Sequence, residues 1–173
     1  MNPKTYRKPL SRYFPAYHPK AGQLTYFVEK FWGALADLKL VDENDPVFEN
    51  FPDGIIDLSK AKIAAKFHTI RGGNKIKVGD FIQFYCWVCK PYRSKQIVIA
   101  PPIEVKKTWD FALEAHPEEV VMRMGQDTFL EGNLLEEISN NDGLELEDFK
   151  AWFQWGKKSF DGQIICWNDK IEY

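Results

Sequence analysis

The sequence predicts an α+β domain in which a small β-barrel is flanked by helices, and three observations carry that prediction. Lys66 to Trp87 holds two short apolar, β-branched and aromatic runs separated by Gly72-Gly73-Asn74 and by Gly79-Asp80, the pattern of two strands joined through turns. Further short strand candidates follow at regular spacing as far as Met124, and short strands so spaced suggest a barrel. Apolar residues at helical spacing lie before this region, at Phe27, Phe31, Ala34, Leu35 and Leu38, and again after Leu134.

Taken in order, the chain divides into an extended N-terminal arm over 1–24 and a single domain over 25–173. Met1 to Gly22 contains Pro3, Pro9, Pro15 and Pro19 with no helical or strand period, so it is expected to run extended over the domain surface. Tyr13, Phe14 and Tyr17 make it too aromatic for an idle tail. They either strap the arm to the domain, the preferred reading, or face a ligand. Thr25 to about Leu40 is an amphipathic helix with Gly22 and Thr25 as start signals. Asp42 to Pro52 reads as a loop, and Ile55 to Ala65 as either a short helix or an irregular lead-in to the first barrel strand.

The strand over Phe81 to Val88 carries apolar residues in both alternating sets, which predicts burial on both faces. A basic loop from Lys90 to Gln96 follows. Ile97 to Ile99, Ile103 to Val105, Thr108 to Leu113 and Val120 to Met124 are strand candidates, with His116-Pro117 as a turn. Leu134 to Asn140 is a helix closed by Asp142-Gly143, Leu146 to Trp155 a second helix, and Ile164 to Trp167 a closing strand.

Lys66-x-x-Thr69-x-Arg71, a variable loop, then Lys77-x-Gly79-Asp80 and an apolar strand resemble the opening of the ASCH domain, of the PUA-like superfamily. Leu134 to Phe153 followed by Gln163 to Trp167 resembles the family's end: helix, Asp-Gly, helix and last strand. The arm is similar to leaders of bacterial or phage-borne ASCH-like proteins. The resemblance implies a PUA-like barrel and a role in binding RNA or a nucleotide-like ligand. It also implies an alternative, because a bacterial branch hydrolyses the amide of acetylcytidine. That branch's catalytic lysine and threonine fall here on Lys66 and Thr69, and its glutamate falls on Asp142, which is a methylene shorter. A lysine that loses its proton would activate the threonine hydroxyl while the carboxylate orients the lysine. In a flat strand Lys66 and Thr69 would face opposite ways, so Lys66 is expected in the turn before the strand.

Composition narrows the classes of function. At 173 residues, with 15% aromatics, the chain is long and apolar enough for one packed core. Three cysteines and no signal-peptide pattern predict a reducing, cytoplasmic setting, and no stretch is apolar enough to span a bilayer. The net charge of -2 conceals a block: residues 60 to 107 carry eleven Lys and Arg against two acids, +9, while the segment from Thr108 carries -10. The block is either a footprint for a polyanion or a counterpart to the acidic C-terminal third.

Ligand-facing candidates are Lys66, His68, Thr69, Arg71, Tyr92, Arg93 and Lys95, with phosphates met by Arg71, Arg93 and Lys95 and a base stacked on Tyr92 or Trp87. The catalytic set, Lys66, Thr69 and Asp142, applies only to an amidohydrolase. Cys86-Trp87-Val88-Cys89 reads as two thiols, because residues three apart on a strand face opposite ways and no second pair lies at zinc spacing. No metal and no cofactor is expected, since no dinucleotide, P-loop or hydrolase-elbow motif occurs. A third class, a structural or host-interaction protein, needs no cleft.

Overall fold

The structure, a computed structural model, describes residues 2–42, 60, 64–89, 91–115, 120–153 and 159–173. The expected loop after Asp42, most of Ile55 to Ala65, the His116-Pro117 turn and the end of the last helix at Trp155 lie outside these residues. The fold is α+β. In chain order it runs β1 (Thr5–Pro9), α1 (Phe27–Asp37), β2 (His68–Gly72), β3 (Phe81–Trp87), β4 (Gln96–Val98), β5 (Ile103–Glu104), β6 (Lys107–Ala115), β7 (Val120–Met124), β8 (Thr128–Phe129), α2 (Gly132–Asn141), α3 (Leu146–Phe153) and β9 (Phe160–Cys166).

Among the described residues the strands form two sheets and no closed barrel. One sheet runs β1-β3-β4 with β5 also on β3, and the other runs β2-β9-β6-β7-β8. Strand β9 carries the junction between two cores, because adjacent residues of a strand face opposite ways. Ile164 joins the cluster of Phe111, Leu113, Ile138 and Phe149, while Ile165 joins the cluster of Val28, Phe31, Leu35, Ile82 and Phe84. Just beyond β9, Trp167 meets Phe31 and Phe84 edge-on at 5.3 and 5.5 Å, a packing that orients as well as buries the rings. Helix α1 begins where its sequence signal stands, with the Thr25 hydroxyl accepting the Phe27 N–H at 3.2 Å.

Two expectations change. The arm contains a strand: β1 lies parallel to β3, with Thr5 to Pro9 opposite Phe81 to Tyr85. No period marks it, because an edge strand with Arg7 and Lys8 needs little apolar alternation, and Pro9 stands at its end, where a missing N–H costs least. Strand β3 is buried on one face only. Ile82, Phe84 and Cys86 lie in the core, while Phe81, Gln83, Tyr85 and Trp87 are half-buried.

The short β8, which follows a turn at Gly125, carries no local signal of its own. Buried Gln163 ties the loop after β2 to the second sheet: its amide donates to the Ile76 carbonyl at 2.8 Å and accepts the Ile76 N–H at 3.1 Å. Beside it, Gly162 lets β2 and β9 approach, since a Cβ there would lie 2.3 Å from the Arg71 carbonyl oxygen. Gly162→Ala is therefore expected to push the strands apart and lower stability by roughly 1–3 kcal/mol, read by urea denaturation.

Candidate functional site

Lys66 lies just before β2, outside the strand as expected, although its segment forms no turn. Three elements fix its segment: the Lys66 N–H donates to Lys30 of α1 at 3.0 Å, the Phe67 N–H to Asn141 of α2 at 2.8 Å, and the Phe67 carbonyl accepts from Trp167 at 3.2 Å. The side chain is only 1% exposed. Its ammonium donates to Asp142 twice, to the backbone carbonyl at 2.6 Å and to Oδ1 at 2.7 Å. It also stands 4.3 Å from the centre of the Phe27 ring.

Asp142 is the residue that ends α2, and Gly143 follows with a φ of 79° that suits glycine. A helix C-terminus leaves carbonyls unpaired and carries partial negative charge, so Lys66 satisfies it with both charge and hydrogen bonds. Lys30 does the same at the next carbonyl, that of Gly143, at 2.6 Å. Burial outweighs these partners in the titration of Lys66 and pushes its pKa down to about 8.

These groups open on a cavity of about 660 Å³. Its polar lining includes Lys66, Thr69, Arg71 and Asp142, and its walls include Tyr13, Phe14, Phe27, Trp87, Tyr92 and Trp152. Thr69 is buried and no described residue bonds its hydroxyl. At the rim Tyr92 is 87% exposed, held at a φ of 61°, with its ring 5.3 Å from that of Trp87. A non-glycine residue in this left-handed region carries strain that its loop must hold.

Of the residues anticipated from sequence, the fold brings Lys66, Thr69, Arg71, Tyr92 and Asp142 to one cavity. Arg93 and Lys95 are exposed and do not line it. His68 does not line it either: it is fully buried, with Nε2–H donating to the Ile138 carbonyl at 2.9 Å. Its other ring nitrogen has no partner and stands 4.0 Å from the Asp142 carboxylate. Burial pushes the imidazole down to about 4, so it is neutral. The basic block is partly spent inside the molecule, on Asp142 through Lys66 and on Glu172 through Lys107.

Sequence reasoning assigned no site role to Arg12, Phe27, Trp152, Phe153 or Phe160, all of which line the cavity. Only the aromatic density of the arm pointed toward this wall. The arm both straps and lines: Phe14 is buried, Tyr17 donates to the Trp152 carbonyl at 3.4 Å, and Tyr13, 39% exposed, faces the cavity. Cys86 is buried, its thiol pushed up to about 11 by burial, whereas Cys89 is exposed at the rim, so the two thiols share no environment.

The buried pair has measurable consequences. Removing one partner, by Lys66→Met or Asp142→Ala, is expected to cost about 3–5 kcal/mol, and the double change less than the sum. An unfolded lysine titrates near 10.5 and the folded one at about 8, so between these values the unfolded chain holds the extra proton. Unfolding free energy is therefore expected to rise with pH across that window, and the rise is expected to be absent from Lys66→Met.

No family model matches this chain, and no curated protein or solved structure shows a significant match to it.

Proposed function

We propose that the protein is an ASCH-type, PUA-like domain whose cavity takes a nucleoside-sized ring, either free or as an unstacked base of a single-stranded RNA. The observation that carries this reading is convergence. Lys66 and Asp142, far apart in sequence, meet beside Thr69 in a cavity whose walls are largely aromatic. Such a site has the make-up of small-molecule pockets, an apolar wall with a few placed polar groups, and its volume lies within the usual range of about 300–1,000 Å³. Aromatic faces accept any base, and the polar groups supply edge recognition.

Binding of the common ribonucleosides and of short single-stranded RNA, followed by titration calorimetry, tests the reading. Trp87→Ala and Tyr92→Ala are each expected to weaken binding by about 1–3 kcal/mol, the usual worth of one base stacked on one ring. Affinity unchanged in both variants would remove the ring from the cavity.

A second reading rests on one specific observation: Lys66, its pKa depressed by burial, shares the cavity with a Thr69 hydroxyl that no described residue bonds. An amidohydrolase acting on an acylated nucleoside such as acetylcytidine would use neutral Lys66 to take the Thr69 proton. The hydroxyl oxygen would bond to the amide carbonyl carbon, the C–N bond would break as the lysine returns the proton to the amine, and water would hydrolyse the acyl-threonine. Lys66 spends its hydrogen bonds on Asp142, so this chemistry requires the lysine to turn toward Thr69 when substrate enters. Turnover of acetylcytidine is then expected to rise with pH through about 8 and to vanish in Thr69→Ala. Binding without turnover would leave the first reading alone.

A further inference from the structure

The Arg71 end of the cavity holds a cation that is short of partners among the described residues. Arg71 is half-buried and lines the cavity, and its one hydrogen bond to the described residues runs from Nη2 to the Pro9 carbonyl at 2.6 Å. Its Nε–H is shut off from solvent with no acceptor. A guanidinium does not escape burial by losing its proton, so its charge persists in place. Asp142 is the carboxylate that most favours this charge, yet Lys66 already holds it at 2.7 Å, and no described carboxylate pairs with Arg71.

A second observation, independent of the hydrogen-bond pattern, points the same way. Strand β1 brings Lys8 to this end of the molecule, just outside the cavity lining, where burial and then the charges of Arg71 and Lys75 lower its pKa. Three cations from three separate segments therefore share one neighbourhood. Like charges so placed repel one another, and an anion bound among them relieves that repulsion.

We propose that the ligand of this cavity carries a phosphate that docks against Arg71, with Lys8 and Lys75 adding to the field, so that the preferred occupant is a nucleotide and not a nucleoside. The inference rests on the ring-binding reading and adds the group that reading leaves open. A phosphate suits the site better than a carboxylate, because a doubly charged anion gains more from several cations, and the planar guanidinium can meet two of its oxygens at once. Pro9 takes part through its carbonyl, which holds the guanidinium in place, so the N-terminal strand positions the phosphate-binding group as well as completing a sheet.

The test compares the four common ribonucleosides, their 5′-monophosphates, their 5′-carboxylate analogues and inorganic phosphate, each titrated into the full chain by calorimetry. A monophosphate is expected to bind roughly 10- to 100-fold more tightly than its nucleoside, as charge-assisted hydrogen bonds provide, with the carboxylate between them. Arg71→Gln is expected to bring the affinities of a monophosphate and its nucleoside to within about threefold of each other, and Lys8→Gln, at an edge strand, to reduce the preference without abolishing it. Nucleoside and monophosphate of equal affinity in the wild-type protein would overturn the phosphate site and leave ring binding standing. Inorganic phosphate bound through Arg71 with no nucleoside binding would overturn ring binding and leave the anion site. No binding of any probe would overturn both. The wild-type comparison needs no variant to fold.

Discussion

An ammonium group taken out of water and set against one carboxylate and one helix-end carbonyl is the constraint on which much of this structure depends. Burying two charges costs several kcal/mol per ion before their attraction returns anything, and the return depends on geometry held to tenths of an ångström. The fold meets that demand by lacing the Lys66 segment to α1, α2 and the end of β9 at once. Gly143 completes the arrangement: a Cβ there would press on Lys30 and Lys66 at 3.3 Å each, so the chain can approach both lysines only at a glycine. The lysine is thus a keystone of the α2 terminus before it is anything to a ligand. Conserving free energy alone would favour apolar side chains at such a place, which makes the retained pair a candidate for function.

The N-terminal segment serves sheet, core and cavity together. It enters as β1, occupying an edge of β3 that would otherwise expose unpaired backbone groups. It then crosses to α3, where Phe14 stacks on His18 at 4.3 Å, His18 bonds the Asp148 carbonyl at 3.1 Å and Lys20 pairs with the Asp148 carboxylate at 2.6 Å. Between these two anchorages the chain from Pro9 to Pro15 spans one side of the cavity. Loss of this segment would open the cavity and expose the edge of β3 together.

Much of this was legible in the residues themselves. Local rules sufficed for α1, whose apolar spacing and Thr25 start signal lie within one stretch, for β3 after its Gly79-Asp80 turn, and for α2 with its Asp142-Gly143 stop. The position of Lys66 ahead of its strand followed from the two-residue period of strands once the resemblance asked Lys66 and Thr69 to face one site. These features depend on neighbours in sequence, and sequence carries them.

What only the tertiary structure decided depends on partners far along the chain. Whether strands close into a barrel or part into two sheets is set by which edges pair, and the apolar period that reveals a strand does not name its neighbour. β1 has no period to read, because an edge paired on one side needs little apolar surface. His68 and Arg71 stand in the same short strand, yet the first is sealed in the core as a neutral ring and the second lines a cavity as a charged one. The count of basic residues from 60 to 107 likewise did not distinguish Lys66, spent on Asp142, from Arg71, which no acid pairs among the described residues. Net charge adds along the chain, whereas compensation is decided by distance in space, and distance is what folding supplies.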